Sequence, residues 1–294
     1  DPPLRAWAWD AALFRVRESE MPDREPLLDH LYSLTNRGIK LGLESMREAA
    51  HQHADPQCAY HSFLVAGTNG KGSTCAYLES ALRRAGLRTG LYTSPHLVRF
   101  EERFSINGQP VDTDTWLEVY RDIGPTVDRM GLTFFEAATL LAFELFRRQR
   151  VDWAVVEVGL GGRLDATNIL NPRACIITSI AMDHQNYLGS TLTAIAGEKL
   201  GIVKKDVPLI TRRSDNREID ELVVSTCRKQ GAPLLLVDDT DCVPHADGRG
   251  FTYQGSGYRT DWYGNRAAEE STQSSMNSLR FQLSTGLGLR PWNQ

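Results

Sequence analysis

Short apolar runs alternate along the middle of this chain with longer stretches whose apolar positions recur every three to four residues. Phe63-Leu64-Val65-Ala66 predicts a buried strand, Gly67 to Ser73 a glycine-rich turn, and Ser73 to Arg84 a helix that Gly86 is placed to end. Thr89–Tyr92 predicts a second strand, followed by helices over Thr113–Arg129 and Phe134–Arg148. Val151–Val158 reads as a third strand and Ala174–Ile180 as a fourth, with a helix near Leu192–Leu200 after it. Pro208–Thr211 and Pro233–Val237 predict further strands, with a helix over Glu218–Lys229 between them. Such alternation predicts an α/β fold, a mostly parallel doubly wound sheet with helices on both faces. Gly250 to Tyr263, rich in aromatics and glycine, reads as a β-hairpin, and the polar, serine-rich Arg266–Gln294 shows no element. One domain over 1–265 and an irregular or truncated tail over 266–294 are therefore expected.

Composition changes this picture little. The 294 residues suffice for one large domain or two modest ones, and 41% hydrophobic with 24% charged residues is ordinary for a water-soluble fold. A net charge of −4 gives no general attraction to nucleic acid or to anionic membrane, so an anionic ligand needs a local site. No apolar run is long enough to cross a bilayer, and Asp1-Pro2-Pro3 has neither a basic flank nor an apolar signal segment. The first residue is not Met, which fits a fragment or a processed product. Five scattered cysteines, Cys58, Cys75, Cys175, Cys227 and Cys242, form no C-x-x-C pair and read as reduced thiols. Cys75 reads as a small packing residue. A cytoplasmic monomer with small-molecule partners is expected, without nucleic acid or membrane.

The chemistry starts at Gly67-Thr68-Asn69-Gly70-Lys71-Gly72-Ser73, between a predicted strand and a predicted helix. Small residues let backbone N–H groups approach a phosphate, the helix N-terminus adds its dipole, and Lys71 adds a full charge. The plain alternative is a turn that needs glycine only for its backbone angles. Gly72 follows the lysine where a Ser or Thr would normally reach a metal, and the Ser73 hydroxyl sits one place on. A metal ligand is thus expected from elsewhere in the chain.

This loop resembles the phosphate loop of the Mur-ligase superfamily, in its folylpolyglutamate synthase/dihydrofolate synthase branch. Six further segments resemble that branch in order: Gly38–Glu44, Tyr92–Leu97, Thr133–Glu136, Glu157–Asn168, Thr178–His184 and Glu198–Ile202. The resemblance implies ATP held by Thr68, Asn69, Gly70, Lys71, Gly72 and Ser73. It implies Mg²⁺, at two sites, with Ser94, Glu157, His184 and Lys199 as ligands. Lys199 matches a lysine that the family carries as a carbamate, a modification that needs a neutral amine and so a lowered pKa. Lys71, Lys199 and His184 are the implied catalytic residues. Ile39, Lys40, Leu41, Thr133, Phe134, Phe135, Glu136, Leu164, Asp165 and Ala166 match segments that hold a pterin or folate. Plainer roles stand beside these: His184 as a hydrogen-bonded loop histidine, Lys199 as a solvated helix lysine, Phe134 and Phe135 as helix core, and Asp165 as a cap of its loop.

The implied reaction is ATP-dependent ligation of L-glutamate to dihydropteroate or a reduced folate. ATP phosphorylates the acceptor carboxylate to an acyl phosphate, and the glutamate amine attacks that carbon. The family's C-terminal domain carries a histidine–asparagine–proline signature that this sequence lacks, so nucleotide binding without strong ligation is expected of the chain alone. Two alternatives remain: a peptidoglycan-type Mur ligase, and a non-catalytic nucleotide- or folate-binding fragment.

Overall fold

The structure, a computed structural model, describes residues 24–40, 42–238 and the strand segments 242–244, 250–255 and 258–263. Two helices come first, α1 (Arg24–Ser33) and α2 (Glu44–Gln52). Then follow β1 (His61–Ala66), α3 (Lys71–Arg84), β2 (Thr89–Tyr92), β3 (Phe104–Ile106) and β4 (Gln109–Pro110). The chain continues through α4 (Thr113–Arg129), α5 (Phe134–Arg148), β5 (Trp153–Glu157), β6 (Ala174–Ile177), α6 (Gln185–Leu188) and α7 (Leu192–Leu200). Last come β7 (Leu209–Arg212), α8 (Arg217–Gln230), β8 (Leu234–Val237), β9 (Cys242–Pro244), β10 (Gly250–Gly255) and β11 (Tyr258–Tyr263).

Eight strands form one sheet in the order β4-β3-β2-β5-β1-β6-β7-β8. From β2 to β8 all pairings are parallel, and β3 and β4 add an antiparallel edge beside β2. The expected doubly wound sheet is present. Alternate residues of β1 divide its two faces, as the period of two requires. Leu64 and Ala66 join the large core cluster with α4 and α5, whereas Phe63 and Val65 pack with Cys75 and Leu82 of α3. The hairpin expected at Gly250–Tyr263 is β10 and β11, with β9 pairing on β10. The tail 266–294 and Leu41 lie outside the described residues.

Strands β5 and β6 are shorter than the apolar pattern predicts by two residues or more. β5 starts at Trp153 because the Asp152 side chain leaves the strand pattern and accepts from the Arg88 amide at 2.7 Å. β6 stops at Ile177 rather than Ile180, because the next residues turn to hold the phosphate loop. The expected α4 and α5 coincide with the observed ones, and α3 begins at Lys71, two residues before the expected Ser73. Among the described residues, no helix is long and apolar enough to cross a membrane.

Candidate active site

The carboxyl ends of β1, β2, β5 and β6 share one edge of the sheet, where the phosphate loop, Ser94 and Glu157 lie. Gly70, at φ +80°, turns the chain from β1 into α3, a left-handed conformation that suits glycine. Helices α4, α5, α7 and α8 begin with side-chain caps from Asp112, Thr133, Thr191 and Asn216. Helix α3 has no side-chain cap, so the N–H groups of its first turn are left for another acceptor. The Lys71 ammonium folds back and donates to the carbonyls of Gly67 (3.1 Å) and Thr68 (3.3 Å).

The loop is fastened to the segment after β6. Thr68 N donates to Ser179 O at 2.8 Å, and Asn69 N donates to Ser179 Oγ at 3.0 Å. The Thr68 hydroxyl donates to Ala181 O and accepts from Ala181 N, each at 3.1 Å. Thr178 Oγ1 donates to Asn69 O at 2.6 Å. This hydroxyl lies where a side chain on Gly67 would sit, and Gly67 has φ +148°, so the position admits only glycine without rearrangement.

Glu157, the last residue of β5, brings its carboxylate over the start of α3. A Cβ added at Gly72 would lie 3.6 Å from Glu157 Oε2. The same oxygen accepts from the Ser94 amide at 3.0 Å. Burial raises the Glu157 pKa, while the Ser94 N–H, Lys71 and Arg103 pull it down. The start of α3, which has no hydroxyl at the position after the lysine, is thus faced by a carboxylate from a neighbouring strand. Lys199, on α7, is only 2% exposed, which rules out the solvated-lysine alternative. Burial and the nearby Lys71 lower its pKa to about 8, partly offset by Asp183. His184 stands in the left-handed region at φ +45°, with its Nε2 3.5 Å from Asp183 Oδ2 and its side chain 55% exposed. Ser94 and Glu157 are therefore joined directly, and Lys199 is within electrostatic reach of Lys71. Among the described residues, no hydrogen bond or ion pair links His184 to Ser94 or Glu157; its partner Asp183 acts electrostatically on Lys199. Among those residues, too, no three His, Cys, Asp or Glu side chains gather as a metal cluster.

The segments matched to pterin binding are held in distinct ways. Thr133 caps α5 and forms a reciprocal capping box with Glu136, both buried. Phe134 stacks on Tyr32 at 6.0 Å and Phe135 packs beside Tyr92 at 6.2 Å and under Gly159; both rings are half-buried. Asp165 is buried and performs the capping role. It accepts from Leu160 N (2.8 Å), Thr167 N (3.0 Å) and Thr167 Oγ1 (2.5 Å), and burial raises its pKa. Leu164 is half-buried and Ala166 buried beside it. Ile39 is 55% exposed, and Lys40 donates to Ser45 Oγ at 2.6 Å. Cys75 is buried against β1 as a packing residue.

Sequence reading missed several participants. Thr178 and Ser179 read as strand residues, Asp183 as a neighbour of His184, and Arg103 is not singled out at all. The usable signal for Arg103 is its place between Phe100 and Phe104, both of which point into the core.

Residues 65–228 match the Mur ligase middle domain. The dihydrofolate synthase/folylpolyglutamate synthase of Bacillus subtilis is 38% identical over 213 residues, covering 70% of this chain and 49% of that protein. The chain spans about half the length of the curated relatives it matches. A solved FPGS–AMPPCP–folate complex superposes with a TM-score of 0.71 at 31% identity, covering 80% of this chain and 60% of that one. Escherichia coli FolC in complex with DHPP and ADP gives 0.71 at 32% identity, with 86% and 61% covered. With the match taking in the phosphate loop, Ser94, Glu157, His184 and Lys199, the chain belongs to the Mur ligase family through its middle domain, and the relatives it resembles are named folylpolyglutamate and dihydrofolate synthases.

Proposed function

We propose that this chain is the nucleotide- and acceptor-binding part of an ATP-dependent ligase. The ligase joins L-glutamate to the carboxylate of dihydropteroate or a reduced folate through an acyl phosphate. The observation that carries the reading is the Glu157 carboxylate, held by the Ser94 amide at 3.0 Å, directly above the uncapped start of α3 beside Lys71. Relatives named dihydrofolate synthase/folylpolyglutamate synthase, and related structures holding AMPPCP with folate or DHPP with ADP, support the same substrates.

In this reading the N–H groups of Gly70 to Ser73 cradle the phosphates, with Thr68 and Asn69 holding the loop's shape. Lys71 leaves its two loop carbonyls and turns its charge to the transferring phosphoryl group. The donor set fits Mg²⁺ at one place: the Ser94 hydroxyl and the Glu157 carboxylate are hard oxygens, and the raised Glu157 pKa marks a carboxylate that a cation would hold ionised. Bound there, Mg²⁺ would neutralise phosphate charge. A second site fits only after Lys199 becomes a carbamate, since its ammonium would repel a cation. A pKa near 8 supplies the neutral amine that reaction needs. His184, exposed at the rim, closes this side of the site with Asp183. Phe134, Phe135, Ile39, Lys40 and Leu164 to Ala166 line the route for the flat acceptor, and Asp165 fixes the loop they share.

The test is a ligation assay dependent on ATP, Mg²⁺ and glutamate, with dihydropteroate and tetrahydrofolate side by side and product mass as the readout. Nucleotide affinity is measured in parallel. An amide product with either acceptor supports the ligase. Nucleotide binding with no product, even after addition of a relative's C-terminal domain, reduces the chain to a binding module. Turnover of a UDP-muramyl acceptor instead would place it with the peptidoglycan ligases.

A further inference from the structure

Arg103 is a buried guanidinium, only 7% exposed, that forms no ion pair with any carboxylate among the described residues. Its Nε donates to His96 Nδ1 at 2.8 Å, a neutral acceptor. Its Cζ lies over the ring of Phe134 at 5.2 Å and near that of Phe100 at 5.8 Å. The Tyr92 phenol, pushed up to about 12 by burial, has its pKa lowered in part by this arginine. Glu157 is within its electrostatic reach but outside ion-pair distance. A cation withdrawn from water is costly unless an anion offsets it, and the ring faces, the neutral imidazole and the Tyr92 hydroxyl around this one supply no paired anion.

The backbone fixes where this charge stands. Tyr92 pairs with Phe104 across β2 and β3, and Thr93 N donates to Arg103 O at 3.1 Å. Arg103 is thus the cross-strand neighbour of the residue before Ser94, whose amide holds Glu157. Two surroundings meet at its guanidinium: the rings of Phe134 and Phe100, and the charge of Glu157, which feels both Arg103 and Lys71. A ligand that satisfies both is a flat aromatic body ending in a carboxylate, with the carboxylate directed at the phosphate loop.

We infer that Arg103 docks the carboxylate of the acceptor, the one to be phosphorylated, and that His96 holds the guanidinium in the orientation that receives it. The inference rests on the ligase reading and assigns the acceptor's charged end to a residue outside the matched pterin segments. The planar fork accepts a carboxylate through two parallel N–H···O bonds. Once the carboxylate oxygen attacks the γ-phosphorus and ADP leaves, the acyl phosphate keeps an anionic group beside the same cation. The glutamate carboxylates are the weaker candidates, since they bring no ring for the aromatic wall.

The test compares binding of dihydropteroate with its carboxamide analogue, in wild type, Arg103→Met and Arg103→Lys, with ADP affinity measured in each protein. Wild type is expected to prefer the carboxylate by about 10- to 100-fold. Arg103→Met should bind both analogues equally, at the weak level, Arg103→Lys should recover part of the preference, and ADP affinity should stay unchanged in both. Equal binding of the two analogues by wild type overturns the inference and needs no variant, so a misfolded Arg103→Met does not leave it undecided. A preference that survives in Arg103→Met also overturns it. Absence of any dihydropteroate or folate binding by wild type that still binds ADP overturns the acceptor reading itself, a result distinct from both.

Discussion

The Ser94 amide donates to Glu157 Oε2 across 3.0 Å, which joins the ends of two parallel strands above the first turn of α3. Glu157 is only 5% exposed, and burial holds its carboxyl above the usual range. A raised carboxylate pKa stabilises the fold below the unfolded value of 4.5, and that contribution is lost as pH rises through the folded pKa. Glu157→Gln keeps the shape and removes the charge. Thermal melts should show no loss of stability at pH 7 and a flatter profile from pH 4 upward. Titration with AMPPCP should show Mg²⁺ no longer strengthening binding. Undiminished Mg²⁺ dependence in the Glu157→Gln variant would remove this carboxylate from the metal site.

Lys199 has the opposite linkage. Its pKa falls from 10.5 to about 8 on folding, so between those values the unfolded chain holds the extra proton. Stability therefore rises with pH through that window, and the full penalty applies below about pH 8. Lys199→Met should stabilise the unmodified chain at pH 7 by on the order of 2 kcal/mol. The gain should shrink toward pH 10. Denaturant melts at pH 7 and pH 10 measure it, and ¹³C-bicarbonate NMR reports whether the wild-type amine carries CO₂.

Gly67 is confined by its backbone and by Thr178. Gly67→Ala should cost roughly 2–4 kcal/mol, part for the positive φ and part for the clash with Thr178 Oγ1. Adding Thr178→Ala should return the steric part and leave the backbone part. A double-mutant cycle on urea melts separates them. Purely additive losses would mean that the two residues do not meet.

Thr133 caps α5, and its hydroxyl and amide both donate to Glu136 Oε2, at 2.9 and 2.8 Å. Thr133→Ala should cost about 1 kcal/mol of stability. It should also weaken folate binding, because Phe134 follows the cap directly. Unchanged folate affinity in a destabilised variant would confine Thr133 to helix capping.

Much of the fold was legible because its signals are local. Phe63–Ala66, Gly70, Lys71 and the helix to Arg84 announce themselves within two dozen residues, and α4 and α5 carry their periodicity in full. What stayed hidden depends on partners distant in the chain. Thr178 to Ile180 have strand-forming side chains, yet their polar groups meet Asn69 and its neighbours, more than a hundred residues earlier. Nothing in the sequence singles out Arg103, whose place becomes visible only when β3 is seen pairing with β2. Helix α2 is a different failure: Met46, Ala49 and Ala50 show helical spacing, but two alanines make a faint apolar stripe in a polar segment. Lys199 could not be told from a surface lysine, since burial is not written in its neighbours.

The bonds from Thr68 and Asn69 to Ser179 and Ala181 run between the loop and a segment more than a hundred residues later. They set the curvature of the loop from outside it, so a triphosphate of the proposed kind would find the cradle's shape fixed by the protein's own bonds. The same bonds tie the cradle to the stretch leading to Asp183 and His184. A substitution at Thr68 is thus felt on the far bank of the cleft as well as at the phosphates.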